Sequence, residues 1–295
     1  MIRLPNAGTP SVIIGYGFVG RATGEGFVSN PKNKVFWYDK FKESPNTLEE
    51  VVKKSDFVFV CVPTPIFEDY SGMDMGIVIG VVDQVAEILS SSAKATEDKV
   101  LIIKSTSLPG TAKKLAIKYP KINFIMNPEF LTQKNANHDF LNPSRTVIGA
   151  ESKDVALKVI KIYKTILSKN QPYVVTDTTS AEVIKYMSNL MLASKVLLAN
   201  EFYELSKKVG ANYLDVQKAV ESDPRIGTHL GVPGPDGDMG FGGACFPKDM
   251  VGILGLAKKL KLDVSALEAI WKKNLKVRKH RDWEEMPQAF KKDTK

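Results

Sequence analysis

Val12–Gly24 reads VIIGYGFVGRATG, a β-branched run closing in Gly15-x-Gly17-x-x-Gly20. In this pattern the first glycine permits a tight turn and the second lets the backbone approach a pyrophosphate. The third allows a helix to pack closely on the preceding strand. The helix that opens there points its unpaired N–H groups and its positive end at phosphate charge. Three glycines alone are a weak signal. The next extended run, VFWYD, adds Asp39 about 24 residues after Gly15, near the spacing at which a carboxylate meets ribose hydroxyls. A carboxylate there repels a 2′-phosphate, so NAD is expected rather than NADP. Lys40 beside it reads either as a counter-signal or as an exposed strand-end lysine. The expected cofactor-binding residues of this segment are Gly15, Gly17, Phe18, Val19, Gly20, Asp39 and Lys40.

Working outward, β-branched or aromatic runs recur at Ser11–Ile14, Val35–Tyr38, Phe57–Val62, Val100–Ile103, Asn123–Met126 and Thr146–Ile148. Helix-length segments separate them, which predicts βαβ units and an α/β fold with a Rossmann-type, doubly wound parallel sheet. From Asp177 the pattern changes. Thr178–Val209 lacks proline and glycine, and its apolar residues, among them Ile184, Met187, Met191, Val196, Leu197 and Leu205, recur at helical spacing. One long helix is expected, capped by Asp177, Thr178 or Thr179. The Gly- and Pro-rich Pro224–Gly243 reads as a loop, and loops of this length usually carry function. Two further helices are expected at Lys248–Leu260 and Val264–Lys279, with a charged, poorly ordered tail beyond Asp282. The expected division is an NAD-binding domain over residues 1–175. An all-helical dimerisation and substrate domain, built on the long central helix, would follow over 176–295.

The 295 residues are 43% hydrophobic, enough for one large or two ordinary cores. Cys61 and Cys245 are the two cysteines, too few for a disulfide framework, and no CxxC or His-rich cluster suggests a metal. A reducing cytoplasm is the expected compartment. No apolar run approaches the roughly 18 to 20 residues of a membrane span, and the glycine-studded start reads as strand and turn rather than as a signal peptide. The net charge of +8 comes without any nucleic-acid motif, so a multiply anionic small substrate or a plain solvated surface is expected, not nucleic acid.

Gly240–Asp249, GFGGACFPKD, sets Cys245 after a glycine pair and ahead of Lys248 and Asp249. A nucleophilic thiol needs access, a positive neighbour and an acid or base within reach. The other reading is a small buried hydrophobe. On the long helix Lys185 and Asn189 stand one turn apart, able to donate together to an oxyanion or merely to share a solvated face. Lys104-Ser105-Thr106 and Asn127-Pro128-Glu129-Phe130-Leu131 follow strands, where ligands of open α/β sheets bind. Glu129 reads there as acid, base or turn residue.

Together these segments resemble the nucleotide-sugar 6-dehydrogenase family, which oxidises UDP-glucose or GDP-mannose. The matching stretches are GYGFVG (Gly15–Gly20), CVPTP (Cys61–Pro65), KSTSLPGT (Lys104–Thr111), NPEFL (Asn127–Leu131), AEVIKYMSNLMLASK (Ala181–Lys195), DPRIG (Asp223–Gly227) and GFGGACFPKD, in family order. The resemblance implies that Cys245 is the thiol nucleophile, assisted by Lys185, Asn189 and Asp249. Glu129 and Thr106 would organise acid–base chemistry and water, and Thr64, Thr106 and Lys248 would touch NAD. Glu129, Phe130, Leu131, Lys185, Asn189, Phe241 and Gly242 would line the sugar. Arg225 would reach it across a homodimer interface on the long helix. The implied reaction is a four-electron oxidation of UDP-glucose to UDP-glucuronate, through a cysteine thiohemiacetal and thioester, in polysaccharide biosynthesis. Three departures stand out. The family's third α/β domain is expected to be absent from this chain, the loop VPGPDGDMGFGG is longer than usual, and Gln133 replaces a glutamate common after EFL. Two other functions share parts of the pattern: a single-step β-hydroxyacid dehydrogenase, which needs no thiol, and a catalytically silent NAD-binding protein.

Overall fold

Strand side chains alternate between two buried faces, and that alternation builds the first half of the molecule. The computed structural model describes residues 8–91 and 99–292. Its strands are β1 (Pro10–Ile14), β2 (Lys34–Tyr38), β3 (Phe57–Val60), β4 (Ile66–Phe67), β5 (Val100–Ile103), β6 (Asn123–Met126), β7 (Thr146–Ala150), β8 (Tyr173–Thr176) and β9 (Phe290–Lys291). Seven form one sheet in the order β2-β1-β3-β5-β6-β7-β8. All its pairings are parallel except β6 with β7, because the chain enters β7 from the opposite end. The expected parallel sheet is therefore mostly parallel. Val12 and Ile14 face one core with Val58, Val60, Leu101 and Ile103. Ile13 faces the other with Phe57, Phe59, Val100 and Ile102. Both faces are covered, as such sheets require.

The helices are α1 (Phe18–Val28), α2 (Leu48–Lys54), α3 (Gly76–Ser90), α4 (Thr111–Lys118), α5 (Ala136–Leu141), α6 (Lys153–Tyr163), α7 (Thr178–Val209), α8 (Tyr213–Glu221), α9 (Phe246–Leu260) and α10 (Ser265–Val277). Local chemistry starts some of them. Thr47 and Glu50 cap α2 reciprocally, and Asn212 caps α8 by accepting from the Leu214 N–H.

The chain divides into two compact units. The first comprises Met1–Thr64 and Met75–Lys185, the second Pro65–Asp74 and Tyr186–Lys295. The seven-stranded sheet belongs to the first, where Trp37 stacks on Tyr16 with ring centres 4.8 Å apart. The second holds most of α7 with α9 and α10 around Leu190, Leu197, Phe241, Met250, Trp271 and Trp283, while α8 packs through Tyr213 on Ala199 and Val232.

The tail departs from expectation. Asp282–Glu285 forms a 3₁₀ turn that buries Trp283 completely, 5.8 Å from Trp271 between ring centres. β9 then pairs with β4 in a parallel two-stranded sheet, so this unit is helical with one small sheet rather than all-helical. The cause is a few apolar residues, Trp283, Ala289 and Phe290, set among charges and anchored in the core. Residues 293–295 of the expected tail lie outside the described residues, as do residues 1–7 and 92–98 of the expected first domain. Among the described residues no helix is long and apolar enough to cross a membrane.

Candidate active site

In the first unit the dinucleotide motif has the geometry its glycines were expected to give. Gly15 adopts φ +86°, and its N–H donates to the Tyr38 carbonyl at 2.9 Å. A Cβ on Gly20 would lie 1.9 Å from the Gly15 oxygen, so α1 packs at a distance only glycine allows. A Cβ on Gly17 would meet nothing within 4 Å. That open space faces the start of α1, whose first turn has no acidic residue and no side-chain cap. A cavity of about 550 Å³ adjoins it, lined by Tyr16, Gly17, Phe18, Arg21, Lys42 and residues 133–138. Asp39 is fixed at the end of β2 by the N–H groups of Tyr16 (2.7 Å) and Phe41 (2.9 Å). Lys40 is exposed, its ammonium 5.9 Å from the Phe41 ring. Free helix N–H groups, a glycine doorway and basic lining fit an NAD pyrophosphate.

A second cluster of this unit gathers at the ends of β5 and β6. Lys185 Nζ donates to the Glu129 carbonyl (2.7 Å) and to Glu129 Oε1 (2.8 Å), and its side chain is 3% exposed. Lys185 is therefore not a solvated lysine. The other carboxylate oxygen of Glu129 accepts from the Leu131 N–H at 2.7 Å. Phe130 lies between cations, with Lys185 Nζ 5.5 Å and the Arg145 guanidinium 4.2 Å from its ring centre. Thr64 and Thr106 are both buried. Behind the pair, Lys104 Nζ donates to Asn127 Oδ1 (3.0 Å) and to the Tyr163 hydroxyl (3.3 Å). Burial lowers Lys104 to about 8 and pushes the Cys61 thiol up to about 12.

In the second unit Cys245 stands half-buried at the head of α9, and its carbonyl accepts from the Asp249 N–H at 2.9 Å. This end of a helix stabilises negative charge on sulfur. Asp249 is fully buried. One of its oxygens accepts from Asn189 Nδ2 at 2.6 Å and the other from Lys248 Nζ at 2.7 Å. Lys248, expected at NAD, thus spends its ammonium on Asp249. Phe241 is a core residue: its ring stacks on Trp271, while Asn274 bonds both its N–H and its carbonyl. Gly242 has a packing reason to be glycine, since a Cβ would lie 2.2 Å from Arg278 Nη2. Arg225 stands apart from this cluster, 87% exposed and paired with Asp223 at 2.6 Å. Among the described residues no three His, Cys, Asp or Glu side chains could hold a metal ion.

Several of these partners carry little signal in the sequence. Glu182 is fully buried and accepts from the N–H groups of Gly110 (2.6 Å) and Ala112 (2.9 Å), tying the start of α4 to α7. Its one sequence signal was its position, a turn before Lys185 on the same helix. Asn274, Arg278 and Asp282 gave none, because what they bond lies some 30 to 40 residues earlier in the chain.

Two sequence models of one family match the chain. The NAD binding domain of the UDP-glucose/GDP-mannose dehydrogenase family covers residues 39–167, and the central domain covers 179–276. The UDP-glucose 6-dehydrogenase of Rickettsia prowazekii is 34% identical over 234 residues, which is 78% of this chain and 51% of that protein. The chain spans about half the length of the curated relatives it matches. A solved UDP-glucose dehydrogenase from Pyrobaculum islandicum superposes with a TM-score of 0.80 at 27% identity, over 93% of this chain and 70% of that one. A 3-hydroxyisobutyrate dehydrogenase of Mycobacterium tuberculosis, with a TM-score of 0.69 over 91% of this chain and 93% of its own, is 15% identical and shares the fold alone. With both domain models in order along it, the chain belongs to the UDP-glucose/GDP-mannose dehydrogenase family.

Proposed function

We propose that the chain oxidises the C6 alcohol of UDP-glucose to the carboxylate of UDP-glucuronate, through a covalent intermediate on Cys245. The observation that carries this reading is the half-buried thiol heading α9, one turn before an Asp249 that Asn189 and Lys248 hold in place. An enzyme that removes a single hydride has no use for such a thiol. The nucleotide and the sugar are taken from the relatives' names, and the chain's net charge of +8 suits a diphosphate substrate.

NAD, when bound, accepts one hydride in each of the two oxidations. The alcohol first loses a proton and a hydride from C6, giving the aldehyde. Cys245 thiolate adds to that carbon, and the thiohemiacetal keeps the C–H bond that the second oxidation breaks. Loss of the second hydride leaves a thioester, which water cleaves to the carboxylate and the free thiol. Per molecule, one alcohol, two NAD⁺ and one water give one carboxylate, two NADH and three protons. Lys185 and Asn189 donate to the oxygen that becomes negative in each addition. Glu129, in contact with Lys185 Nζ, handles the proton of the attacking water with Thr106, and Asp249 orients Asn189 and Lys248.

The working form we propose is a cytoplasmic homodimer built on α7. Met187, Met191, Leu198, Phe202, Leu205 and Val209 are each more than half exposed, and their spacing of three, four and seven residues forms one apolar stripe.

Counting NADH against UDP-glucose tests the chemistry. Two per sugar are expected, whereas a single-step β-hydroxyacid dehydrogenase would give one and would act on another substrate. Cys245→Ser should form no acid, a loss of at least 10³-fold, while NAD binding followed by thermal shift stays as in the wild type. Acid formation by that variant at the normal rate would falsify the thiol mechanism.

A further inference from the structure

The loop that delivers Cys245 is held by side chains from the chain beyond α9. Asn274 on α10 brackets Phe241 through both backbone groups, at 2.8 and 3.0 Å. Asp282, in the 3₁₀ turn, accepts from the Gly243 N–H with both oxygens, at 3.2 and 3.0 Å. Between them lies Arg278, whose side chain is 2% exposed. Its guanidinium bonds Asp236 of the loop and Asp282 (3.1 Å), and its Nε stands 3.7 Å from Asp238 of the loop while donating to the His280 carbonyl. Asp238 in turn accepts from the N–H groups of Lys279 (3.0 Å) and His280 (2.9 Å). Gly242 passes so close to the guanidinium that no side chain fits. One buried cation thus gathers three carboxylates, two from the loop and one that itself holds the loop's last N–H before Ala244. Only a planar, multiply donating group reaches all of them, and lysine does not reproduce that fork.

We propose that Arg278 is a positioning residue for Cys245. Through Asp236, Asp238 and Asp282 it sets the backbone path of residues 234–243 and so holds the thiol at the helix end that favours its ionised form. Its consequence for turnover rests on the reading of Cys245 as the nucleophile; its geometric content does not.

The test is the rate of Cys245 alkylation by iodoacetamide as a function of pH, measured on the whole chain by intact mass. Cys61, buried and far from ionised at neutral pH, stays silent. Arg278→Lys should slow alkylation at pH 7 at least three-fold and move the midpoint of its pH profile upward. It should lower kcat at least ten-fold with the KM for NAD unchanged. Asp236→Asn removes one loop anchor at a side chain 46% exposed, and should show the same effects in weaker form without loss of folding. Rates and midpoints equal to wild type in folded Asp236→Asn and Arg278→Lys would overturn the proposal. Slowed alkylation with full acid formation would support the clamp and sink the nucleophile reading instead.

Discussion

At Gly17 and Gly20 one added methyl group separates two roles that the motif writes with the same letter. Ala at position 20 would place Cβ 1.9 Å from the Gly15 carbonyl, so α1 must move off the sheet. Overpacking of this kind costs about 1–3 kcal/mol or more, and Gly20→Ala should lower the melting temperature by several degrees. Gly17→Ala meets no atom and should melt like the wild type, while binding NAD at least ten-fold more weakly because the methyl stands where pyrophosphate approaches. Thermal melts with and without NAD decide both, and equal behaviour of the two variants would refute the distinction. These glycines were legible in the sequence because backbone conformation is a local property. Lys185 was legible as a face of a helix but not as a buried ion pair, since Glu129 lies 56 residues away. Asn274 and Arg278 were not legible at all: their partners are backbone atoms and loop aspartates that only folding brings to them.

Glu182 makes α7 sensitive to pH along its first turns. Burial raises its carboxyl to about 7 from an ordinary 4.5, against the pull of the Ala112 and Gly110 N–H groups that stabilise the ion. A raised carboxyl means that the folded chain holds the proton more tightly than the unfolded one. The stability it contributes is fully present below about 4.5 and is lost as pH rises through about 7. Glu182→Gln removes that dependence. Urea midpoints of wild type and variant should therefore diverge between these two pH values and run parallel outside them; parallel curves throughout would refute the assignment. Of the elements, six strands were readable from β-branched runs, and α7 from a long stretch free of proline and glycine. β8 escaped notice because its four residues are half-exposed at the sheet edge, without the buried run that marks β3 or β5. The tail is opaque in the sequence because charge dominates its composition, while Trp283, Ala289 and Phe290 decide its placement.

For the whole molecule, the stripe on α7 carries the expectation of a dimer. Phe202→Asp would bury a carboxylate in an apolar contact, so light scattering should show the wild type as a dimer and this variant as a monomer. If Arg225 serves the partner's sugar, mixing inactive Arg225→Ala with inactive Cys245→Ala should restore part of the activity in heterodimers, since one of the two sites then has both residues intact. A fully active Phe202→Asp monomer, or no rescue in verified heterodimers, would refute the shared site. The tryptophans carry a practical consequence. The chain has three: Trp37 stacked on Tyr16 in the first unit, and the Trp271–Trp283 pair in the core of the second. Each half of the protein therefore carries its own optical signature. Half-buried Trp37, against the motif's Tyr16, emits from beside the glycine loop, while the close pair emits from a dry interior. Replacing Trp37 by Phe leaves a protein whose tryptophan fluorescence reports the Cys245-bearing half alone.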